Sequence, residues 1–292
     1  VAVSVAMSQL AHPEDGGTEA VLIARDDQFA DALASGGLQG ALDAPLLLTG
    51  PDHLDERVAA EIGRLGAVRA IVLGGESAVP EQIATELRGL ALTVERVGGS
   101  DRIATALAIA DMIGPRVEQV VLVRAHGHES DPSRAWADAL AAGATAAGLE
   151  APVLLTTEDV LDPRVATWLQ AETMDNGLQS VLVAGGEAAV ARPVLQEIVE
   201  IGLGVDRASG ADRTETALQL NRRRGMASAE LVDTVIVVDS SDWAGGMTAA
   251  LASDALVAPV VLTGTTMPAT TAAFLGEADV AVVCVARAAA CR

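Results

Sequence analysis

The sequence predicts an α/β fold in which one Rossmann-like or flavodoxin-like parallel-sheet unit occurs three times along the chain. Short apolar runs of strand length alternate with segments of helical periodicity. This pattern is typical of a parallel sheet that is covered by helices on both faces. Sequence motifs also recur at a fixed distance, which indicates internal duplication. Half of the 292 residues are hydrophobic, so a sizeable core can be buried.

The repeat is clearest in a motif that begins with an aromatic residue at positions 29, 136 and 243, so that each copy starts 107 residues after the one before. Its three versions are Phe29-Ala-Asp31, Trp136-Ala-Asp138 and Trp243-Ala-Gly245. A second motif, Ala-Pro followed by three aliphatic residues and Thr, keeps the same spacing at 44–49, 151–156 and 258–263. We interpret this constant register as a tripled unit.

The first half of the first copy is predicted to alternate strand, helix, strand, helix. Val21–Ala24 is a short apolar run and is expected to be a strand. Ala30–Leu42 carries small and apolar residues at helical spacing. Ala44–Thr49 is a second apolar strand, and Arg57–Leu65 has the polar and apolar faces of an amphipathic helix.

The second half continues the alternation. Ala70–Leu73 is predicted to be a strand, closed by a Gly-Gly pair. Pro80–Leu90 is expected to be a helix with proline in its first turn. Thr93–Val97 follows as a fourth strand, and Arg102–Ile113 as a helix for which Asp101 is a suitable N-cap.

Two motifs recur in the first two copies and fail in the third. Gly74-Gly75 matches Gly185-Gly186, and Asp101-Arg102 matches Asp212-Arg213. In the third copy we align Val285-Ala286 with the glycine pair, and no Asp-Arg pair follows. We therefore predict repeat units at 1–97, 98–208 and 209–292, of which the third is degenerate and truncated at its C-terminal side.

The two ends of the chain complement each other. Val3–Ser8 resembles Thr105–Ala110 and Thr216–Asn221, which lie late in their copies, whereas the third copy stops after a strand predicted at Val280–Val285. We expect the first helix to pack on the third unit and complete it, closing a ring. A trimmed chain is the alternative interpretation.

Charge and composition exclude several classes of partner. The net charge is −21 and every cation is an arginine, which disfavours nucleic acid and anionic membranes. Aromatic residues make up 2% of the chain, too few for base-stacking platforms. No apolar run reaches the roughly 18 residues of a membrane span. We therefore expect no nucleic-acid partner and no membrane span.

No catalytic or cofactor motif is recognised. The absence of lysine excludes a Walker loop, and there is no Gly-x-Ser-x-Gly. We expect no enzyme activity, no cofactor and no metal. An eight-residue insertion before Trp136 carries His126, His128, Glu129 and Asp131, for which a solvated loop is favoured over a metal site. Cys284 and Cys291 leave a disulfide or two thiols open.

Four motifs of the first copy, taken in order, resemble those of the cell wall-binding repeat 2 family. They are Phe-Ala-Asp-Ala-Leu, Ala-Pro-Leu-Leu-Leu-Thr, Ile71–Gly75 and Val94–Arg102. The resemblance implies three repeats in a pseudo-threefold arrangement. It also implies a secreted, non-catalytic module at the cell wall or cell surface of a Gram-positive bacterium, for which the arginine-only cations suggest a GC-rich genome. Such modules tether surface-layer proteins, amidases and proteases to anionic secondary wall polymers, so an attached or associated enzymatic domain is expected.

The resemblance also nominates polymer-binding residues in the grooves between units: Asp31, Asp138, Gly74, Gly75, Gly185, Gly186, Asp101, Arg102, Asp212 and Arg213. Arginine presents a planar fork of donors to phosphate or carboxylate, and glycines let backbone amides approach an anion. Each position also has a structural interpretation. The aspartates are able to cap helices, the arginines to bind neighbouring carbonyls or the next unit, and the glycines to form tight turns.

Three features weaken the polymer-binding interpretation. Ile103 and Thr214 replace the tyrosine that usually follows Asp-Arg in the family, the third copy lacks its motifs, and the acidic surface opposes a polyanion. Two other functions remain open. One is an α/β enzyme that binds a small ligand or nucleotide, and the other is a structural surface-layer spacer with degenerate sites.

Overall fold

The computed structural model describes residues 1–114, 117–127, 131–276 and 279–285, and within them it contains three parallel sheets. Each sheet begins with a strand that lies between the next two strands of its unit, so every unit has the same strand order. The α/β class and the three-unit pseudo-threefold arrangement predicted from the sequence are confirmed.

The first unit has the strand order β2-β1-β3-β4. Its strands are β1 (Ala20–Arg25), β2 (Leu46–Thr49), β3 (Arg69–Leu73) and β4 (Thr93–Val97). Its helices are α1 (Ala2–Ala11), α2 (Ser35–Leu42), α3 (Glu56–Leu65) and α4 (Glu81–Gly89). β1 is buried along almost its whole length, as expected for a central strand that is covered on both faces.

The second unit repeats this arrangement with the order β6-β5-β7-β8. Its strands are β5 (Gln119–Arg124), β6 (Val153–Thr156), β7 (Ser180–Ala184) and β8 (Gly204–Ala208). Its helices are α5 (Arg102–Ile113), α6 (Ala139–Gly148), α7 (Pro163–Asp175) and α8 (Arg192–Ile201), with a short 3₁₀ helix at Pro132–Ala135.

Three strands are described in the third unit, in the order β10-β9-β11. They are β9 (Thr234–Asp239), β10 (Val260–Thr263) and β11 (Ala281–Val285). The helices are α9 (Arg213–Arg223), α10 (Trp243–Ala255) and α11 (Ala269–Leu275), with a 3₁₀ turn at Ala229–Leu231. Cys284 in β11 is disulfide-bonded, whereas Cys291 lies outside the described residues.

One predicted helix starts later than expected. The segment Ala30–Leu42 was predicted to be helical throughout, but α2 begins at Ser35 and residues 30–34 form turns. Ala32 and Leu33 donate their amides to the carbonyl of Phe29. These turns carry the Asp31 carboxylate towards α5, where it accepts a hydrogen bond from Thr105. If residues 30–34 continued α2 as a helix, the Asp31 carboxylate would not occupy this position beside Thr105.

Helices α2, α6 and α10 contact one another pairwise at the centre of the molecule. Small residues allow this approach. A Cβ atom on Gly36 would lie 2.3 Å from the carbonyl oxygen of Gly143, and one on Gly40 would lie 2.2 Å from that of Ala147. The buried Gln39 amide donates to the Met247 carbonyl at 3.0 Å and so joins α2 to α10. These three helices define the pseudo-threefold axis.

The helix at the start of each unit also packs on the neighbouring unit and so joins the two. α5 contacts α2 of the first unit and β6 of the second, and α9 contacts α6 and β10 in the same way. α1 contacts α10 of the third unit and β2 of the first. The boundaries predicted for the three units at 97/98 and 208/209 remain a prediction. No helix among the described residues is long and apolar enough to cross a membrane.

A buried carboxylate fastens α1 to α3. Glu61 is 2% exposed and accepts hydrogen bonds from Ser8 at 2.6 Å and from Arg64 at 2.8 Å. Desolvation alone would raise the pKa of Glu61, but hydrogen bonds from Arg64, Ser8 and Gln9 outweigh it and hold the pKa below its ordinary value.

Replacement of Gly36 by alanine is expected to destabilise the protein by about 1–3 kcal/mol or more, because the new methyl group overlaps the α6 backbone. Gly63→Ala in the exposed part of α3 is the matched control, since its Cβ would meet no atom within 4 Å. There we expect a gain of about 0.5–1 kcal/mol from helix propensity. Thermal unfolding of both variants checks this. Equal stability of the two would contradict the close packing.

Glu61→Gln is expected to lower the free energy of unfolding at neutral pH by about 1–3 kcal/mol, because charge-assisted hydrogen bonds are lost. The folded-state pKa is lowered, so the carboxylate contributes above the ordinary glutamate pKa of about 4.3 and loses its contribution as pH falls through the folded value. Urea unfolding from pH 3 to 7 should show the wild type and variant converging at the acid end. Glu56→Gln, exposed on the same helix, should show no comparable gap.

Candidate functional site

The residues nominated from the sequence gather at the carboxyl ends of the parallel strands. In the first two units the Asp-Arg pair opens the helix after the fourth strand, and the glycine pair follows the third strand. Crevices at this edge of parallel sheets are the usual ligand sites of α/β folds. The contacts of each residue show what it does within the protein.

Arg102 joins the first unit to the second. Its guanidinium donates to the carbonyl oxygen of Ala125 at 2.7 Å, just beyond the last residue of β5. The same group lies 5.3 Å from the centre of the Phe29 ring, within the range of a cation–π contact. Burial lowers the pKa of Arg102, and the nearby Asp31 and Asp101 raise it.

Arg213 makes the equivalent junction between the second and third units. Its guanidinium donates to the carbonyl of Ser240 at 3.3 Å, just beyond β9, and to the Ser133 hydroxyl at 2.9 Å. Asp131 lies 3.8 Å away as a loose ion partner. Both predicted arginines therefore span a boundary between units, and both have partners inside the protein.

Asp101 and Asp212 cap α5 and α9, as predicted. Asp101 accepts from the amide of Ala104 at 2.9 Å and also forms an ion pair with Arg164. Asp212 accepts from the amides of Thr214 and Glu215. The pKa of Asp101 is lowered first by its backbone hydrogen bond, and that of Asp212 first by the Thr214 hydroxyl.

The interpretation of Asp31 and Asp138 as helix caps is wrong. α2 is preceded by Ala34, and Asp138 precedes α6 without a capping hydrogen bond from its side chain. Instead, Asp31 accepts from the Thr105 hydroxyl at 3.1 Å, and that hydroxyl accepts from the Gly99 amide. Each carboxylate holds the start of the next helix in place.

The second unit repeats part of this arrangement. The Gly210 amide donates to the Thr216 hydroxyl at 3.2 Å, and the Thr216 side chain acts to lower the pKa of the neighbouring Asp138 carboxyl. Burial raises the pKa of Asp138 above its ordinary value, although Arg124, Arg213 and Arg134 act in the opposite direction.

The first glycine of each pair has a steric role. Gly74 has φ +95° and Gly185 has φ +102°. A Cβ atom would lie 2.5 Å from an Asp31 oxygen at Gly74 and 2.6 Å from an Asp138 oxygen at Gly185. Both amides donate to carbonyls at the end of the fourth strand, those of Val97 and Ala208. These contacts support the tight-turn interpretation, because they leave neither amide for a ligand.

The second glycine of each pair is less constrained. A Cβ atom on Gly75 or Gly186 would meet nothing within 4 Å. Their carbonyls close the following turn by accepting from the amides of Ala78 and Ala189. No steric reason for glycine is found at either position, and their role in ligand binding remains a prediction.

A cleft of about 290 Å³ lies at the site of the second unit. Of the nominated residues, Asp138, Gly186, Asp212 and Arg213 line it. Arg124 and Arg134 also line it and were not predicted from the sequence. A single charged residue at the end of an apolar strand was the available signal for Arg124, because such a residue projects at the ligand-binding edge of the sheet.

In the third unit the site is altered, and one alignment is corrected. Val285 was aligned with the first glycine of the pair, but it pairs with Val238 as the last residue of β11. It therefore corresponds to Leu73 and Ala184, and the positions after it lie outside the described residues. Gly245 stands where Asp138 stands in the second unit, and a Cβ there would lie 2.5 Å from Val285.

Two other sequence features are the insertion before Trp136 and the basic run Arg222-Arg223-Arg224. His128 and Glu129 of the insertion lie outside the described residues, and the residues that the structure describes show no group of three potential metal ligands. In the basic run Arg222-Arg223-Arg224, which ends α9, Arg223 pairs with Asp206, and Arg224, whose side chain is 5% exposed, donates to the Ser253 hydroxyl at 2.8 Å. Arg224 thus fastens α9 to α10.

Comparisons with known proteins agree with this architecture. A family model described as cell wall binding domain 2 (CWB2) matches residues 1–84 and 96–195. N-acetylmuramoyl-L-alanine amidase LytC from Bacillus subtilis (strain 168) is 25% identical over 208 residues, which are 71% of this chain and 38% of LytC.

Two solved structures from Clostridium difficile share the fold. Cwp6 superposes with a TM-score of 0.85 at 25% identity, over 98% of this chain and 44% of Cwp6. Cwp8 superposes with a TM-score of 0.81 at 26% identity, over 98% of this chain and 48% of Cwp8. This chain spans less than half the length of each of these three relatives. The matched family model covers more than half of the chain, which therefore belongs to the cell wall binding domain 2 family.

Proposed function

We propose that this chain is a non-catalytic anchor that holds a secreted protein at the surface of a Gram-positive bacterium by binding an anionic secondary polymer of the wall. The observation that carries the proposal is the equivalent placement of Arg102 and Arg213. Each lies at a junction between units at the ligand-binding edge of a sheet. Family membership supports the wall as the target.

The junctions offer the chemistry that such a polymer needs. A guanidinium binds phosphate or carboxylate through charge-assisted hydrogen bonds. Arg213 lines a cleft and retains donors beyond those given to Ser240 and Ser133. Asp31 and Asp138, which lie beside the arginines, are placed to accept hydrogen bonds from sugar hydroxyls.

The net charge of −21 works against a polyanion at long range. At physiological ionic strength the Debye length is about 8 Å, so distant carboxylates are largely screened while direct contacts are screened less. We infer that binding depends on short-range contacts at the junctions rather than on the overall field of the protein.

Any enzymatic activity of the whole protein is assigned to segments beyond the matched region. LytC carries the name of an amidase, and this chain corresponds to 38% of its length. We propose that the present chain supplies attachment and that a catalytic or structural partner lies in the same polypeptide or is associated with it.

Combined replacement of Arg102 and Arg213 by alanine is expected to weaken sedimentation with isolated walls by about tenfold or more, because two charge-assisted contacts are lost. Stripping the anionic polymer from the walls should have the same effect on the wild type. A cosedimentation assay over a range of protein concentrations measures both.

Both arginines also join units, so folding must be monitored by thermal unfolding. Arg69→Ala is the matched control, since among the described residues the ion partner of Arg69 is Glu95 on the edge strand of the first sheet. Its wall binding should equal that of the wild type. Wall binding that survives in the folded double variant, or on stripped walls, would exclude these junctions as the polymer site.

A further inference from the structure

We propose that the cleft of the second unit is a phosphate-binding pocket that takes one phosphate group of the wall polymer, and that the corresponding places in the first and third units lack this capacity. The proposal rests on the proposed function and makes it asymmetric, with one principal phosphate contact at the second unit instead of two equivalent contacts at Arg102 and Arg213. Its residues are Arg124, Arg134 and Arg213, of which only Arg213 was predicted from the sequence.

Arg124 is the strongest indication that the cleft binds an anion. The residue is 6% exposed and lies at the end of β5, where it lines the cleft. Within the described part of the chain its Nε atom is buried and has no hydrogen-bond partner. Its only described ion partner, Glu158, is 3.4 Å away and 44% exposed. A buried guanidinium with an unused donor is costly unless an acceptor is supplied, and a bound phosphate oxygen supplies one.

In the first unit the arginine at the corresponding position has an internal counterion. Arg25 ends β1 as Arg124 ends β5, and each is paired in register with the threonine that ends the second strand. Asp27 neutralises Arg25 through two hydrogen bonds, one of them 2.7 Å long. Asp27 lies four residues before Asp31, and Arg134 lies four residues before Asp138. The internal counterion of the first unit is thus replaced by a third arginine in the second.

The third unit has lost the strand-end cation altogether. Asp239 stands at the end of β9, in register with Thr263, where the other units carry arginine. Four residues before Gly245 stands Ser241, which donates its hydroxyl to Asp239. A carboxylate at this position repels a phosphate, so the described residues of the third unit provide no equivalent pocket.

The carboxylates around the cleft are already engaged inside the protein. Asp212 caps α9, Asp131 accepts from the Ser133 hydroxyl at 2.6 Å, and Asp138 lies beside the Thr216 side chain. The unused donors thus belong to arginine. The cleft volume of about 290 Å³ is near the lower end of the range for small-ligand sites, about 300–1,000 Å³. That space suits one phosphate with its attached sugar or polyol.

The test is calorimetric titration of the intact chain with inorganic phosphate, followed by cosedimentation with walls. We expect the wild type to bind phosphate with a stoichiometry of one. Arg134→Asp, which gives the second unit the aspartate found in the first, should weaken phosphate binding by about tenfold or more. Arg134 is partly exposed and its replacement leaves the core intact. Arg124→Met, at the buried position, should act in the same direction.

Arg192→Asp is the matched control because it makes the same change in net charge on an arginine that is 77% exposed and does not line the cleft. Its phosphate affinity should stay within about twofold of the wild type if the effect is local. No phosphate binding, more than one site, or equal affinities in Arg134→Asp and Arg192→Asp would overturn the pocket.

The wall assay separates this inference from the proposed function. Phosphate binding without sedimentation would keep the pocket and reject the anchor. Sedimentation that the Arg134→Asp variant retains would keep the anchor and reject the pocket as its contact. Walls whose phosphate-linked polymers have been removed with hydrofluoric acid should no longer retain the wild type. Undiminished retention there would show that the polymer contact is not a phosphate.

Discussion

The architecture depends on the close contact of α2, α6 and α10 at the pseudo-threefold axis. Backbone atoms of Gly36 and Gly143 approach so closely that a side chain on Gly36 would overlap the neighbouring helix. α6 and α10 also contact strands of their own sheets, and α2 contacts β6 of the second unit, so the packing of these helices fixes where the sheets lie. The junctions between units, and with them every candidate site, take their geometry from this contact.

At the junctions, the residues that hold neighbouring units together are also those proposed to bind the ligand. Arg102 and Arg213 donate to carbonyls of the following unit, which leaves only part of each guanidinium for a ligand. The aspartates beside them position the next helix through a threonine hydroxyl. A ligand that binds there therefore contacts two units at once. The difference between clefts arises from residues that the repeat motif does not include, namely Asp27, Arg134 and Asp239.

The sequence predicted the fold well because each strand and helix pattern occurs in more than one copy. Strand and helix patterns that are ambiguous in one copy become firm when they recur in register, and Arg102–Ile113 was predicted with the bounds that the structure shows. The start of α2 was missed, since the tertiary contact between Asp31 and Thr105 overrides a good helical pattern. The alignment of Val285 with glycine failed because strand register is set by pairing across the sheet, which a linear comparison does not contain.

The linking helices carry a consequence for how such modules evolve. Because α1 fills, against α10 and β2, the kind of place that α5 and α9 fill between their own neighbours, the repeats form a circuit rather than an open stack. Open solenoids tolerate the gain or loss of a repeat, since each repeat needs only the one before it. Here an added or deleted copy would change the rotation between neighbours and break the contact of α1 with α10. Copy number is thus set by closure, and sequence divergence within a copy is the route left for changing specificity.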